Sequence, residues 1–358
     1  MKTLPLFSNL TVLDLSTVLA GPSVGTFFAE LGAKVIKIEH PTIPDVTRSW
    51  KLPSEKKDDI SAYFASVNYG KTLRQLDLTN QTDYLRFMKL VKESDVLLLN
   101  FKFDDQKKLK VSDEQLLEVN PQLIIGKISG FGPSSDRVAY DLILQAETGF
   151  MSMNGEKDGE PVKMPVALID VLAAHQLKEG LLIALMDRQL SSKGSVVEVS
   201  LYDAALCSLT NQATNYLMAG HVPGRMGSLH PNIAPYGEIF STTNNVKFTI
   251  AIGSDTHFEK LLTILKIPEI KIDARFECNQ NRVQHRKELA NLLSKAFSSF
   301  NSTDLFNQFR EVKIPYGEIK SLDQVLNDVN AKKLIRQELQ NGTQTKRMTS
   351  IAFQWKKL

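Results

Sequence analysis

Short apolar runs alternate with amphipathic segments over the first two hundred residues of this chain, and that alternation limits the fold more than any other feature. Thr11-Val12-Leu13-Asp14-Leu15 reads as a buried strand, ended at Ala20-Gly21-Pro22. Pro22 suits the first turn of a helix, where its missing N–H would have had no partner, so a helix is predicted over 23–31, stopped by Gly32. Lys34-Val35-Ile36-Lys37-Ile38-Glu39 alternates as a second strand. A helix over 80–92 leads into Asp95-Val96-Leu97-Leu98-Leu99, whose unbroken apolar run is the pattern of a strand buried on both faces. Another helix, 113–119, precedes Leu123-Ile124-Ile125-Gly126-Lys127-Ile128. Strands separated by helices predict an α/β domain with a Rossmann-like, mostly parallel sheet and ligands at the carboxyl ends of its strands.

Further along, the pattern predicts a long helix over 170–190, a strand over 195–199 and a helix over 201–218. Residues 219–236 are rich in Gly, Pro and His, as in a linker or ordered loop. A strand at 248–252, a helix capped by Ser254, and helices at 286–297 and 303–312 make a smaller α/β unit. From Ser321 the tail reads as helical, then basic and irregular. The expected division is a large domain over 1–200 and 319–358, a linker helix and loop over 201–224, and a small α/β domain over 225–318. A chain of 358 residues with 42% hydrophobic residues has enough apolar mass for two cores.

Charge narrows the function. The balance of 43 Lys+Arg against 40 Asp+Glu gives +3, with no long basic run, which excludes nucleic-acid binding by bulk charge but leaves room for a local basic cluster around a small polyanion. Two cysteines, Cys207 and Cys278, make no disulfide framework and suit a reducing compartment. The opening Met1-Lys2-Thr3-Leu4-Pro5 lacks a signal-type apolar region, so a cytoplasmic protein without a membrane partner is expected. There is no Gly-x-Gly-x-x-Gly, no Walker-type Gly-Lys-Ser/Thr and no Gly-x-Ser-x-Gly, and the six histidines show no metal-ligand spacing, so no metal is expected. One carboxylate stands out: Asp170, in Pro165-Val166-Ala167-Leu168-Ile169-Asp170-Val171-Leu172, set among apolar residues at a helix start. An aspartate there most often caps the helix; desolvated beside helix amides, it is also a candidate nucleophile.

Several segments, in order, resemble the class III coenzyme A transferases, of the CaiB/BaiF type that includes formyl-CoA and carnitine CoA-transferases. They are Val12-Leu13-Asp14-Leu15 with Ala20-Gly21-Pro22, then Leu31-Gly32-Ala33-Lys34-Val35-Ile36-Lys37-Ile38-Glu39, and Gly70-Lys71 with Leu76-Asp77-Leu78. Ser94-Asp95-Val96 with Asn100-Phe101 follow, then Tyr140-Asp141-Leu142 with Gln145-Ala146 and Thr148-Gly149, then Asp170, Gly194 with Val197, and Pro235-Tyr236-Gly237. The likeness covers most of 8–255 and weakens toward the C-terminus.

The resemblance implies that Asp170 attacks an acyl-CoA thioester, giving an acyl-aspartyl anhydride and CoA thiolate. The thiolate returns to form an aspartyl-CoA thioester, and an acceptor carboxylate collects the CoA. Backbone amides at the helix start are the expected oxyanion donors. Coenzyme A enters as substrate and no cofactor is permanently bound. The implied CoA contacts are Thr17, Val18 and Leu19 for the pantetheine, His40 at the nucleotide, and Leu76, Asn100 and Phe101 around the adenosine. Lys108 and Leu109 form a basic-apolar pair for phosphate and adenine, and Arg137 is a further phosphate contact; a solvated helix face is the plain alternative for Lys107, Lys108 and Lys110.

Related α-methylacyl-CoA racemases place a histidine where this chain has Tyr140, so racemase or epimerase chemistry ranks second, and a catalytically idle CoA-binding protein third. Leu19 replaces a glutamine of formyl-CoA transferases, and Ser228-Leu229-His230-Pro231-Asn232-Ile233-Ala234-Pro235 stands where those enzymes have a glycine run. Both changes argue against formate and oxalate and for a more apolar acyl group. His230 and Arg225 are candidates to face an acceptor carboxylate. The resemblance also implies a homodimer of two interlocked chains.

Overall fold

β1 (Thr11–Asp14), β2 (Lys34–Glu39), β3 (Lys71–Gln75), β4 (Val96–Leu99), β5 (Ile124–Ser129) and β6 (Ser195–Ser200) form one parallel sheet in the order β3-β2-β1-β4-β5-β6. The computed structural model describes residues 6–340 and 342–356. Strand order reverses between β1 and β4, which pair Val12 with Val96 and Asp14 with Leu98, so the crevice that such sheets use for ligands opens beyond Asp14 and Leu99.

Both faces are covered because successive side chains of a strand point to opposite faces. Val12, Val96, Leu98 and Ile124 pack under α1 (Ala20–Glu30) and a later long helix, against Val24, Phe28, Ile169, Ala173 and Leu181. Leu13, Leu97, Leu99 and Ile125 face the other way, onto α2 (Gln81–Lys92) and α3 (Asp113–Val119) through Phe87, Val91 and Leu116. Each such fully buried side chain contributes about 1.5–3 kcal/mol relative to exposure. Asn80 caps α2 by accepting from Thr82 and Asp83, and Ser112 with Gln115 makes a capping box on α3, which is why both helices start where the pattern placed them.

Four sequence expectations change. Helix α1 begins at Ala20 rather than at residue 23, with Pro22 inside its first turn. β3 was not foreseen: it is the sheet edge, and its Lys-Thr-Leu-Arg-Gln has no apolar run to betray it. The helix expected over 201–218 breaks into α6 (Leu201–Cys207) and α7 (Thr210–Ala219), numbered after α4 (Asp141–Glu147) and α5 (Leu168–Ser191), because Thr210 takes a φ of 41°. The tail is not irregular: Ile335–Gln340 and Thr343–Met348 pair as an antiparallel hairpin. Glu30 of α1 holds this segment through Arg347 (2.6 Å) and the Ser350 amide (2.8 Å).

The chain falls into two compact units. The larger holds residues up to Met151, Lys163–Val222 and everything from Val329; the smaller holds Ser152–Val162 and Pro223–Asp328. In the smaller unit β7 (Tyr236–Ser241), β8 (Lys247–Ala251) and β9 (Tyr316–Glu318) form an antiparallel sheet in that order. Its core is aromatic, with Phe240, Phe248, Phe297 and Phe309 buried together. The boundaries differ from those expected at 225 and 318, and α6 and α7, expected as linker, lie within the larger unit. Among the described residues no helix is long and apolar enough to cross a membrane.

Candidate active site

The loop from β1 to α1 leaves the sheet at the crevice, and buried side chains hold its backbone. Asp14 accepts from the Ser16 amide at 3.0 Å and from its hydroxyl at 2.5 Å. Asn100, at the end of β4, accepts from the Thr17 amide (3.1 Å) and donates to the Thr17 carbonyl (3.0 Å), joining the two strand ends across the reversal. The Val18 amide points to the Asp45 carboxylate, 3.2 Å away. A side chain at Gly21 would put its Cβ 2.3 Å from that of Ser16, so the loop folds back onto α1 only because position 21 is glycine.

Asp170 sits at the third position of α5, whose N-cap is Ala167. The cap comes instead from Asp141 at the start of α4. Its Oδ1 accepts from the amides of Ile169 (2.7 Å) and Asp170 (3.3 Å), and its Oδ2 accepts from Gln145 Nε2 at 2.6 Å. Gln145 Oε1 in turn accepts from the Met164 amide at 2.8 Å. The Asp170 carboxyl is therefore free of the capping role that a helix-start aspartate commonly has. It is 7% exposed, and burial first, then the Asp141 charge, push its pKa up to about 7. Neighbouring aromatics complete the surroundings. Trp50 meets the rings of Tyr63 (5.1 Å) and Tyr140 (6.3 Å), and burial with the charges of Asp170, Asp141 and Asp45 pushes the Tyr63 hydroxyl up to about 12.

These elements wall a cleft of about 270 Å³ at the carboxyl ends of β1, β4 and β5. Asp170, Tyr140, Thr17, Val18, Leu19, Asn100, Phe101 and Arg137, all singled out from the sequence, line it together. Arg137 is engaged there: it pairs with Glu147 through two bonds (3.0 and 2.6 Å) and lies 3.9 Å over the Phe131 ring. The other four residues implied for coenzyme A stand outside the lining. Leu76 belongs to the core under α2 and Leu109 packs against it, each fixed there by apolar burial. His40 accepts from the Thr42 and Ile43 amides and lies 3.5 Å from Asp77, and exposed Lys108 faces Asp105 at 3.5 Å. His230, in the smaller unit, accepts from the Asn232 amide and sets its ring tilted against that of Tyr236, with centroids 4.9 Å apart.

Sequence reasoning missed Lys102, Lys127 and Ser129 in the cleft wall, and the capping role of Asp141. Only Asp141 carried a signal, as part of Tyr140-Asp141-Leu142. Its role has a testable consequence. Asn at 141 has one acceptor and one donor group; if the acceptor keeps the Ile169 amide, the donor meets Gln145 Nε2, and flipping Gln145 moves the donor–donor clash to the Met164 amide. Asp141→Asn is expected to cost about 1–3 kcal/mol in urea unfolding, the penalty for one unpaired buried polar group. The same variant removes a negative charge, so the Asp170 carboxyl should titrate below its wild-type value in carbon-detected NMR.

Comparison with known proteins identifies the family. Residues 7–358 match the model of CoA-transferase family III. Succinate–glutarate CoA-transferase of Agrobacterium fabrum is 36% identical over 349 residues, covering 95% of this chain and 87% of its own. Acetyl-CoA:oxalate CoA-transferase of Acetobacter aceti is 33% identical over 325 residues, covering 90% of this chain and 82% of its own. A CaiB/BaiF family protein from Brucella suis, 35% identical, superposes with a TM-score of 0.84 over 98% of this chain and 93% of that one. A single family match thus runs through the C-terminal hairpin as well as the segments quoted from the first 255 residues, and the chain belongs to CoA-transferase family III.

Proposed function

We propose that this CoA-transferase moves coenzyme A from an acyl-CoA donor to a dicarboxylic acid, with Asp170 as the nucleophile. The observation that carries the reading is the Asp170 carboxyl itself: buried, uncommitted to capping, raised to about 7, and open to the cleft. At neutral pH a large fraction is ionised, and the ionised form is poorly solvated and so reactive. Its oxygen attacks the thioester carbonyl; the C–S bond breaks and CoA thiolate leaves, giving the mixed anhydride. The thiolate attacks the aspartyl carbonyl, releasing the donor acid and leaving an aspartyl-CoA thioester. The acceptor carboxylate then attacks that thioester to form a second anhydride, and the thiolate finally takes the acyl group of the acceptor and frees Asp170.

The helix amides first expected as oxyanion donors are occupied, since Asp141 already takes those of Ile169 and Asp170. The Ser129 hydroxyl, buried without a hydrogen-bond partner at the end of β5, is the better candidate donor in the cleft wall. Thr17, Val18 and Leu19 run along the pantetheine in this reading, with Asn100 and Phe101 toward the adenosine and Arg137, Lys108 and His40 left for the phosphates and nucleotide. The relatives named for succinate, glutarate and oxalate, with the apolar Leu19, favour succinyl-CoA and glutarate as the first pair to assay. The exposed stripe Ile183, Met186 and Leu190 of α5 suits burial by a second copy, in keeping with a homodimer.

Intact-protein mass spectrometry with succinyl-CoA and acetyl-CoA tests the mechanism. An acyl or CoA adduct is expected on the wild-type protein and none on Asp170→Ala. Absence of both an adduct and label exchange between CoA and free acids would end the transferase mechanism, and solvent deuterium entering the α-carbon would replace it with racemase chemistry.

A further inference from the structure

Val18 lines the cleft with a φ of 73°, a left-handed conformation that branching at Cβ makes costly. Ser192, Lys266 and Lys313 share that conformation, but they end helices, where it is ordinary. Val18 ends nothing. Such strain persists only where the surroundings over-determine it, and here they do. The Val18 amide is 3.2 and 3.4 Å from the two oxygens of Asp45, a carboxylate 2% exposed. Lys37, equally buried, lies 3.4 Å from Asp45 and donates to the Ser16 carbonyl. Together with the Asn100 bonds to Thr17 and the Asp14 bond to Ser16, side chains from four places in the sequence fix consecutive backbone groups of one short loop. A loop that merely connected β1 to α1 would need none of this.

We infer that Asp45 is a positioning residue for CoA transfer: by drawing the Val18 amide to its carboxylate it holds Val18 left-handed and so fixes the peptide planes of residues 17–19 against the acyl-CoA. The inference rests on the proposed reading of the cleft. The plainer role for Asp45 is local, since it also caps the turn Val46–Ser49 by accepting from the Thr47 amide (3.0 Å) and hydroxyl (2.7 Å). The two roles separate through glycine, which adopts positive φ without strain. If Asp45 works by holding Val18, its loss should matter much less when position 18 is glycine.

The experiment measures kcat and KM for the acyl-CoA in wild type, Asp45→Asn, Val18→Gly and the double variant. Asp45→Asn is expected to raise KM at least about tenfold while kcat changes within about threefold, and the same substitution in the Val18→Gly background to change KM less than about threefold. An equal effect in both backgrounds, or no effect on KM, overturns the inference. Should Asp45→Asn fail to fold, Val18→Pro removes the same N–H and forbids positive φ while leaving Asp45 and Lys37 intact. It is expected to raise KM at least about tenfold, and a wild-type KM would overturn the proposal. Amide exchange without substrate decides the point independently of turnover. In Asp45→Asn residues 16–19 should exchange faster while β1 stays protected, and unchanged exchange there defeats the idea. Wild-type protein inert toward every acyl-CoA would instead defeat the transferase reading, leaving the exchange result to decide whether Asp45 holds the loop.

Discussion

Replacing Asp170 by Asn is expected to lower kcat/KM for CoA transfer at least about a thousandfold and, at pH 8, to make the protein more stable. The two effects have one cause. Burial and the Asp141 charge raise the folded-state pKa from 3.8 to about 7, so ionising Asp170 costs the fold what its reactivity gains. Because the folded pKa lies above the unfolded one, the protonated group's contribution is intact below about pH 4. It is lost progressively as pH rises to about 7, and the deficit is constant above that. Asn never ionises, so the variant's advantage should be absent at pH 4 and should reach at most about 4 kcal/mol at pH 8. Urea unfolding at the two pH values checks it. Equal stability at pH 8 would mean that the carboxyl is solvated and poorly suited to its proposed role. The same pKa should appear in wild-type kcat/KM, which is expected to fall about tenfold per unit below pH 7.

The parts of the molecule that were legible in the sequence are those whose burial writes a pattern. β1, β4 and β5 are apolar runs because helices cover both faces, and α2 and α3 announce themselves through Asn80 and Ser112. β3 and the C-terminal hairpin were not legible, since a sheet edge and a two-stranded ribbon bury too little to need apolar residues. In the cleft, the residues that come together were found through likeness to a family rather than through periodicity. Asp170 looked like a cap; what frees it is Asp141, 29 positions earlier, and no local pattern reports a cap donated from another helix. Leu76 and Leu109 were placed at the adenosine by likeness to a family; in the structure Leu76 is buried in the core and Leu109 packs, half-buried, against it, outside the cleft lining. Tyr63, close enough to feel the Asp170 charge, and Trp50 packed against it come from a stretch with no periodic signal at all.

Lys71→Met is expected to destabilise the larger unit by about 3–5 kcal/mol, and Asp14→Asn added to it to recover a substantial part of that loss. Lys71 comes from the polar edge strand β3, yet its ammonium is buried beside Asp14 at 2.7 Å, with the Pro22 carbonyl at 2.8 Å and Asn68 Oδ1 at 2.9 Å. Burial alone would raise Asp14, but the charges of Lys71 and Lys37 outweigh it and hold the carboxyl below its ordinary value, while burial depresses Lys71 to about 8. α1 passes so close that a Cβ on Gly25 would lie 2.9 Å from Asp14 Oδ2, which leaves little space for water to solvate a stranded carboxylate. Methionine fills the volume of the lysine stem but leaves Asp14 charged, with only the more distant Lys37 to compensate, so the loss should fall in the lower half of the range. Removing the charge with the second substitution takes away the largest part of the penalty. The Pro22 carbonyl and Asn68 Oδ1 stay without their donor, so recovery should be incomplete. Urea unfolding of the single and double variants measures both. If the double variant were as unstable as the single, the hydrogen bonds of Lys71 to Pro22 and Asn68, not its charge pairing with Asp14, would be what ties β3 to the centre of the sheet.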